Sequence, residues 1–298
     1  MFIGVLSGLF WAIETIVIGK VMSMETMQVL FITPFICTFL HDAFSAIWIG
    51  FHNHMKPDFK EFYTSLKTSN AKFVSIAAII GGPIGMSGYM MTIHYLGSSI
   101  GAVVSAIFPA VGAVLAVLFL KEKMKWYQWI FLAFTLLGVY GINYSSDINV
   151  VNLWLGMIGA VLCSFGWGME AVILAKCLKD DGLKDEHALQ IRQTTSAIVY
   201  GIFLIPCIYF MDLPIDFLQG KIFLLIAIAA LFATLSYLFY YKAIYKIGAT
   251  KAMALNITYV AWSMILVGTD LTPITIFCAG LVFICGILST IDFKKLNV

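Results

Sequence analysis

Charge is what this sequence has least of. Only 11% of its 298 residues are Asp, Glu, Lys or Arg and 61% are hydrophobic, against about a quarter charged in an ordinary soluble domain. The mean hydropathy of +0.95 places the chain in a lipid bilayer. Also missing are a glycine-rich phosphate loop, a nucleophile elbow and any Cys or His spacing suited to a metal,. A membrane enzyme or sensor is therefore disfavoured, and no cofactor, metal or nucleic-acid partner is expected. Six cysteines (Cys37, Cys163, Cys177, Cys207, Cys278 and Cys285) lie mostly in apolar runs and read as small buried hydrophobes. The first apolar stretch starts at Phe2 with no basic segment before it, so it reads as a retained span rather than a cleaved leader.

What is present is a series of apolar runs of about 20 residues, the length that crosses a bilayer as helix. Ten can be laid down, at 2–22, 28–50, 72–96, 98–120, 126–144, 153–175, 187–210, 220–244, 248–268 and 273–291. The third and fourth are divided by the turn signal Gly97-Ser98-Ser99,. With the N-terminus inside, cytoplasmic segments collect all the lysines except Lys20 and Lys221: 15 against 2, with Arg192 discounted as intramembrane. The positive-inside rule then predicts an even number of spans and two cytoplasmic termini. Lys56, Lys60 and Lys67 put the 51–71 loop on the cytoplasmic surface,.

The chain also repeats itself. Trp11-Ala12-Ile13-Glu14 and Trp167-Gly168-Met169-Glu170 each set a ring and an acid three residues apart, with Lys20 and Lys176 following at equal intervals. On a helix, such a pair shares one face. A shift of 151 aligns Ser45-Ala46-Ile47 and Gly50 with Ser196-Ala197-Ile198 and Gly201, and Tyr89, Ile93, His94 and Gly97 with Tyr240, Ile244, Tyr245 and Gly248. Five spans is an odd number, so the second copy enters from the opposite side. The fold class expected is an all-α membrane protein of ten helices in a 5+5 inverted repeat, residues 1–150 and 151–298. The substrate site of such folds lies near the midplane between the halves.

With Gly97 through Pro109 running into the Leu120-Lys121-Glu122 helix end, the whole chain resembles the drug/metabolite transporter superfamily, EamA type. Finer strings resemble its LicB-type branch of bacterial choline permeases, which supply choline for decorating cell-surface polymers with phosphocholine. Those strings are Thr38 to Asp42, Gly82 to Met86, Leu96 to Pro109, Trp167 to Glu170, Ile191-Arg192-Gln193, and Ser236-Tyr237-Leu238 continuing to Trp262. Where that branch uses Tyr at a fourth-helix position, this chain has Phe108, which keeps the ring and loses the hydroxyl. The resemblance implies a multi-pass transporter of the bacterial cell membrane, monomer or homodimer, with choline or a related quaternary amine as its ligand.

The residues point the same way independently. Ionisable groups at membrane depth cost about 2.5–3.5 kcal/mol each on insertion scales and face a cavity or a partner. Here they are Glu14, Asp42 and Glu170, with His41, against Arg192 as the only deep fixed cation. Phosphate or sugar-phosphate substrates would call for the opposite balance. Rings share these elements: Trp11, Phe108, Trp167, Tyr237, Tyr240, Tyr241, Tyr259 and Trp262. A trimethylammonium group has no N–H to donate, so ring faces and net negative charge must hold it. Asn256 is the candidate partner for a ligand hydroxyl. Glu14, His41, Asp42 and Arg192 form a candidate charge network, read either as an internal Asp42–Arg192 pair or as a proton relay. Gly81-Gly82-Pro83 and Gly85 predict a kink in the third span. Export of amino acids or other small amines is the alternative function.

Overall fold

In the computed structural model the described residues are 1–28, 32–144, 150–179, 183–211, 220–268 and 271–293. Among them every regular element is helical: α1 (Phe2–Met22), α2 (Glu25–Gln28), α3 (Thr33–His54), α4 (Phe59–Ser65), α5 (Ser69–Ile79), a π-helical segment (Ile80–Met86), α6 (Ser87–Leu96), α7 (Ser98–Ser105), α8 (Phe108–Phe119), α9 (Trp126–Ile142), α10 (Leu153–Lys179), α11 (Asp185–Phe210), α12 (Gly220–Ile247), α13 (Ala249–Asn256), α14 (Tyr259–Val267) and α15 (Pro273–Leu288). Eight helical stretches are long and apolar enough to cross a membrane, and α9 and α15 are shorter apolar helices. Each of the ten expected spans corresponds to one of these ten stretches. The second begins at Thr33 and runs on to His54, later at both ends than read from the sequence.

Three spans are not continuous α-helices. In the third, Pro83 offers no N–H and its ring crowds the carbonyl four residues back. The backbone there widens into the π segment Ile80–Met86 between α5 and α6, a feature often associated with functional sites. The fourth breaks at Ala106 and Ile107, just before Phe108-Pro109 starts α8, and the ninth at Ile257 and Thr258. Gly97 and Gly248, aligned in the repeat, open α7 and α13 with φ of 92° and 87°, values a side chain would resist.

α1 packs along α12, α10 against the third span, α11 against α3 and α9 against α15. The close crossing of α6 and α10 depends on missing side chains, since a Cβ on Gly88 or Gly159 would fall 2.6 Å from the other's carbonyl oxygen. Without water to squeeze out, backbones that meet this closely are how lipid-embedded helices gain contact. At the lysine-rich end, the loop expected to be solvated folds in part as α4, whose Phe59 and Phe62 rings meet His54 and His187. Lys184 ties Asp58 and Glu61 there, and its hydrogen bond holds the Asp58 carboxyl below the usual range. Five cysteines are buried, as expected of small hydrophobes; Cys207 is exposed.

Candidate functional site

A cavity of about 230 Å³ lies between α1, α3, the third span, α7–α8, α10, α12 and α13–α14. Trp11 and Trp167, 156 residues apart in sequence, meet edge to face at 6.3 Å. Trp11 stacks on Tyr259 at 3.9 Å, and Trp167 meets Phe108 at 5.8 Å and Tyr89 at 5.7 Å. Tyr237, Tyr240 and Tyr241 line the α12 side, bringing the rings on the cavity wall to eight. Rings thus line several sides of one void, and a ring face turned to that void attracts a cation.

Trp167 is fixed by its Nε1, which donates to the Gly81 carbonyl in the π segment at 2.9 Å. The same segment makes room for an acid, because a side chain on Gly81 would overlap the Glu170 carboxylate.

Five ionisable groups form a continuous chain beside the rings. Glu14 lies 3.5 Å from His41 Nε2, and His41 Nδ1 lies 3.1 Å from Asp42. Asp42 also accepts from Ser196 at 2.6 Å and is 3.6 Å from Arg192 Nη1. Arg192 donates from Nε to Glu170 at 2.9 Å and from Nη1 to Gln193 at 2.8 Å, with its guanidinium carbon 5.0 Å from the Tyr237 ring centroid. Glu170, Asp42 and Arg192 are all buried, at 7%, 3% and 4% exposure, where charges persist only with partners. The chain holds three carboxylates and one guanidinium, so its formal charge is −2 with His41 neutral and −1 with it protonated. Arg192 therefore meets both Asp42 and Glu170, and its tighter contact is with Glu170.

Of the residues expected at the site, Trp11, Phe108, Trp167, Glu170, Tyr237, Tyr240, Tyr241, Asn256 and Tyr259 line the cavity, as do Glu14 and His41. Asp42 and Arg192 stand behind that wall. Trp262 is not on the wall: its ring packs at 4.9 Å against Phe283 of α15, while Tyr259 of the same helix lines the cavity. Asn256 donates to the Ser7 hydroxyl at 2.9 Å, in a cluster where Ser236 donates to the Ser7 carbonyl. Tyr89 and Ser105 were missed. The pairing of Tyr89 with Tyr240 at the shift of 151 was the signal for the first; Ser105, which shares a hydrogen bond with Tyr259, carried none. No group of His, Cys, Asp and Glu suited to a metal occurs among the described residues.

The EamA-like transporter family model matches residues 1–144. Protein LicB of Haemophilus influenzae is 30% identical, over 98% of this chain and 97% of that protein. The chain belongs to the EamA-like transporter family. A second relative of this transporter, the uncharacterized transporter YyaM of Bacillus subtilis, is 26% identical over 76% of this chain and 77% of its own. A solved crystal structure superimposes with a TM-score of 0.73 over 100% of this chain and 98% of its own at 13% identity, a likeness of fold alone. The protein is thus a multi-pass membrane transporter of the drug/metabolite superfamily with bacterial relatives.

Proposed function

We propose that this transporter imports choline, or a closely related quaternary amine, by alternating access. The observation that carries the reading is the ring-walled cavity beside three carboxylates and a single guanidinium, which pairs with only two of them. A permanent cation without N–H groups is held by ring faces, at up to about 2 kcal/mol for each desolvated contact, and by the unbalanced negative charge. Trp11, Tyr89, Phe108, Trp167 and Tyr259 form the cage; Asn256, Tyr240 and Tyr241 are the candidates for the ligand hydroxyl. The resemblance to choline permeases supports the same substrate.

The mechanism rests on two five-helix repeats, 1–150 and 151–298, of inverted topology with both termini in the cytoplasm. Matching positive-φ glycines at the start of α7 and α13 and the meeting of Trp11 with Trp167 support that symmetry. The halves rock about the shared cavity, with membrane potential, protons or both as the driving force. Export of amino acids fits less well, because a substrate carboxylate needs a cation and Arg192 is already engaged by Glu170 and Asp42.

Radiolabelled choline should enter proteoliposomes made with the purified chain, with tetramethylammonium competing better than ethanolamine, whose N–H groups gain little from a cage of rings. Trp167→Ala and Glu170→Gln should each weaken choline binding by more than about tenfold. Absence of choline-dependent uptake and binding would retire the proposal.

A further inference from the structure

The repeat supplies two Trp–Glu pairs, Trp11–Glu14 and Trp167–Glu170, and the charges around them are not alike. Glu170 has a cation of its own, Arg192 at 2.9 Å, and that guanidinium also lies over a ring, Tyr237 at 5.0 Å. An acid, a ring and a cation between them are what a bound ammonium would present, and here the protein supplies the cation. Arg192 reaches Asp42 as well, and Asp42 accepts from Ser196 and His41. No second fixed cation stands within ion-pair distance of Glu14 among the described residues: its neighbours are the Thr15 hydroxyl at 3.3 Å and His41 Nε2 at 3.5 Å. His41 Nε2 forms no hydrogen bond among the described residues, and its Nδ1 is already turned to Asp42.

We infer that Arg192 is a resident cation filling one of two pseudo-equivalent cation positions, so that the substrate ammonium takes the other and pairs with Glu14 beside Trp11. This inference rests on reading the cavity as an organic-cation site. It makes Glu14 the substrate's counter-ion and Glu170 a positioning residue that keeps the guanidinium out of the cavity. It also sets capacity: the cavity takes one monovalent organic cation, because the second position is closed by the chain's own arginine.

The test is choline affinity of the detergent-purified full chain, wild type against Glu14→Gln, Glu170→Gln and the double variant Glu170→Gln/Arg192→Gln. Glu14→Gln should lose at least about tenfold, from removal of a desolvated charge partner. Glu170→Gln should lose a similar factor, because the released guanidinium repels the ligand. The double variant removes acid and base together and should recover to within about threefold of wild type, a rescue that a contact of Glu170 with the ligand could not give. A double variant no better than Glu170→Gln, or a Glu14→Gln protein within threefold of wild type, overturns the inference.

A measurement on unaltered protein guards against misfolded variants. Carbodiimide labelling of buried carboxyls, mapped by mass spectrometry, should be blocked by choline at Glu14 and not at Glu170; protection of Glu170 in preference to Glu14 overturns the assignment. If wild type binds neither choline nor tetramethylammonium, the organic-cation reading itself falls, an outcome separate from a wild type that binds while the variant pattern fails.

Discussion

The Glu170 carboxylate occupies its place only because residue 81 has no side chain. The packing ties three features together: the π segment widens the third span, its Gly81 carbonyl receives the Trp167 indole, and its bare Cα leaves room for the acid one turn further along α10. Gly81→Ala should therefore displace ring and carboxylate at once. Overpacking of this kind costs about 1–3 kcal/mol, so the variant should unfold at lower temperature and bind choline more weakly than its loss of stability explains. Wild-type affinity in a folded Gly81→Ala protein would separate the π segment from the site. At this scale the sequence was informative about kind and less so about partner. An isolated arginine among acids had to pair, and Asp42 was the partner read for it; Glu170, read as a substrate residue, proves the closer contact once the helices are placed. Tyr259 and Trp262 were both expected at the site, and nothing in the sequence says which of the two rings turns to the void: Tyr259 lines it and Trp262 packs on Phe283.

Among the elements, α13 is held from outside itself. Glu122, in the segment after α8, accepts from the backbone N–H groups of Ala249 and Thr250 at 3.1 and 3.3 Å and from the Thr250 hydroxyl at 2.8 Å. These are orphan donors at a helix N-terminus, where an acid is favoured by both hydrogen bonding and the helix dipole. α13 ends at Asn256 on the cavity wall, so this grip also fixes the wall. Glu122→Gln keeps an acceptor and loses the charge; a loss of about 1 kcal/mol in stability is expected, read by thermal unfolding in detergent, and an unchanged midpoint would show the cap to be idle. α3 offers a native probe of the same cavity, since Cys37, Thr38 and His41 all line it. A trimethylammonium-ethyl thiosulfonate, shaped like choline, should modify Cys37 and be slowed by choline; labelling indifferent to choline would place the ligand elsewhere. Neither feature was legible beforehand in full. The Leu120-Lys121-Glu122 helix end stood out in the sequence, but its partner lies 127 residues away. Cys37 read as filler because apolar neighbours say nothing about an internal void.

For the whole molecule, the ten apolar runs and the sorting of lysines were legible because the bilayer punishes charge and exposed backbone more strictly than water does. What stayed hidden were the internal breaks, for which the local sequence gives a signal only at Pro83 and Pro109. The lysine distribution also fixes the sign of the driving force. If the lysine-rich ends face the cytoplasm, a permanent cation released there moves down an inside-negative potential, which contributes about 2.3 kcal/mol per elementary charge at 100 mV. At about 1.36 kcal/mol per tenfold, that supports roughly fiftyfold accumulation of choline with no other ion moving. Proteoliposomes holding an inside-negative potassium diffusion potential should approach this ratio, and collapsing the potential at constant pH should return it to unity. Accumulation that survives the collapse but follows an imposed pH gradient would instead assign the work to protons, and then His41, set between Glu14 and Asp42, becomes the group whose replacement should abolish concentrative uptake while leaving choline exchange intact.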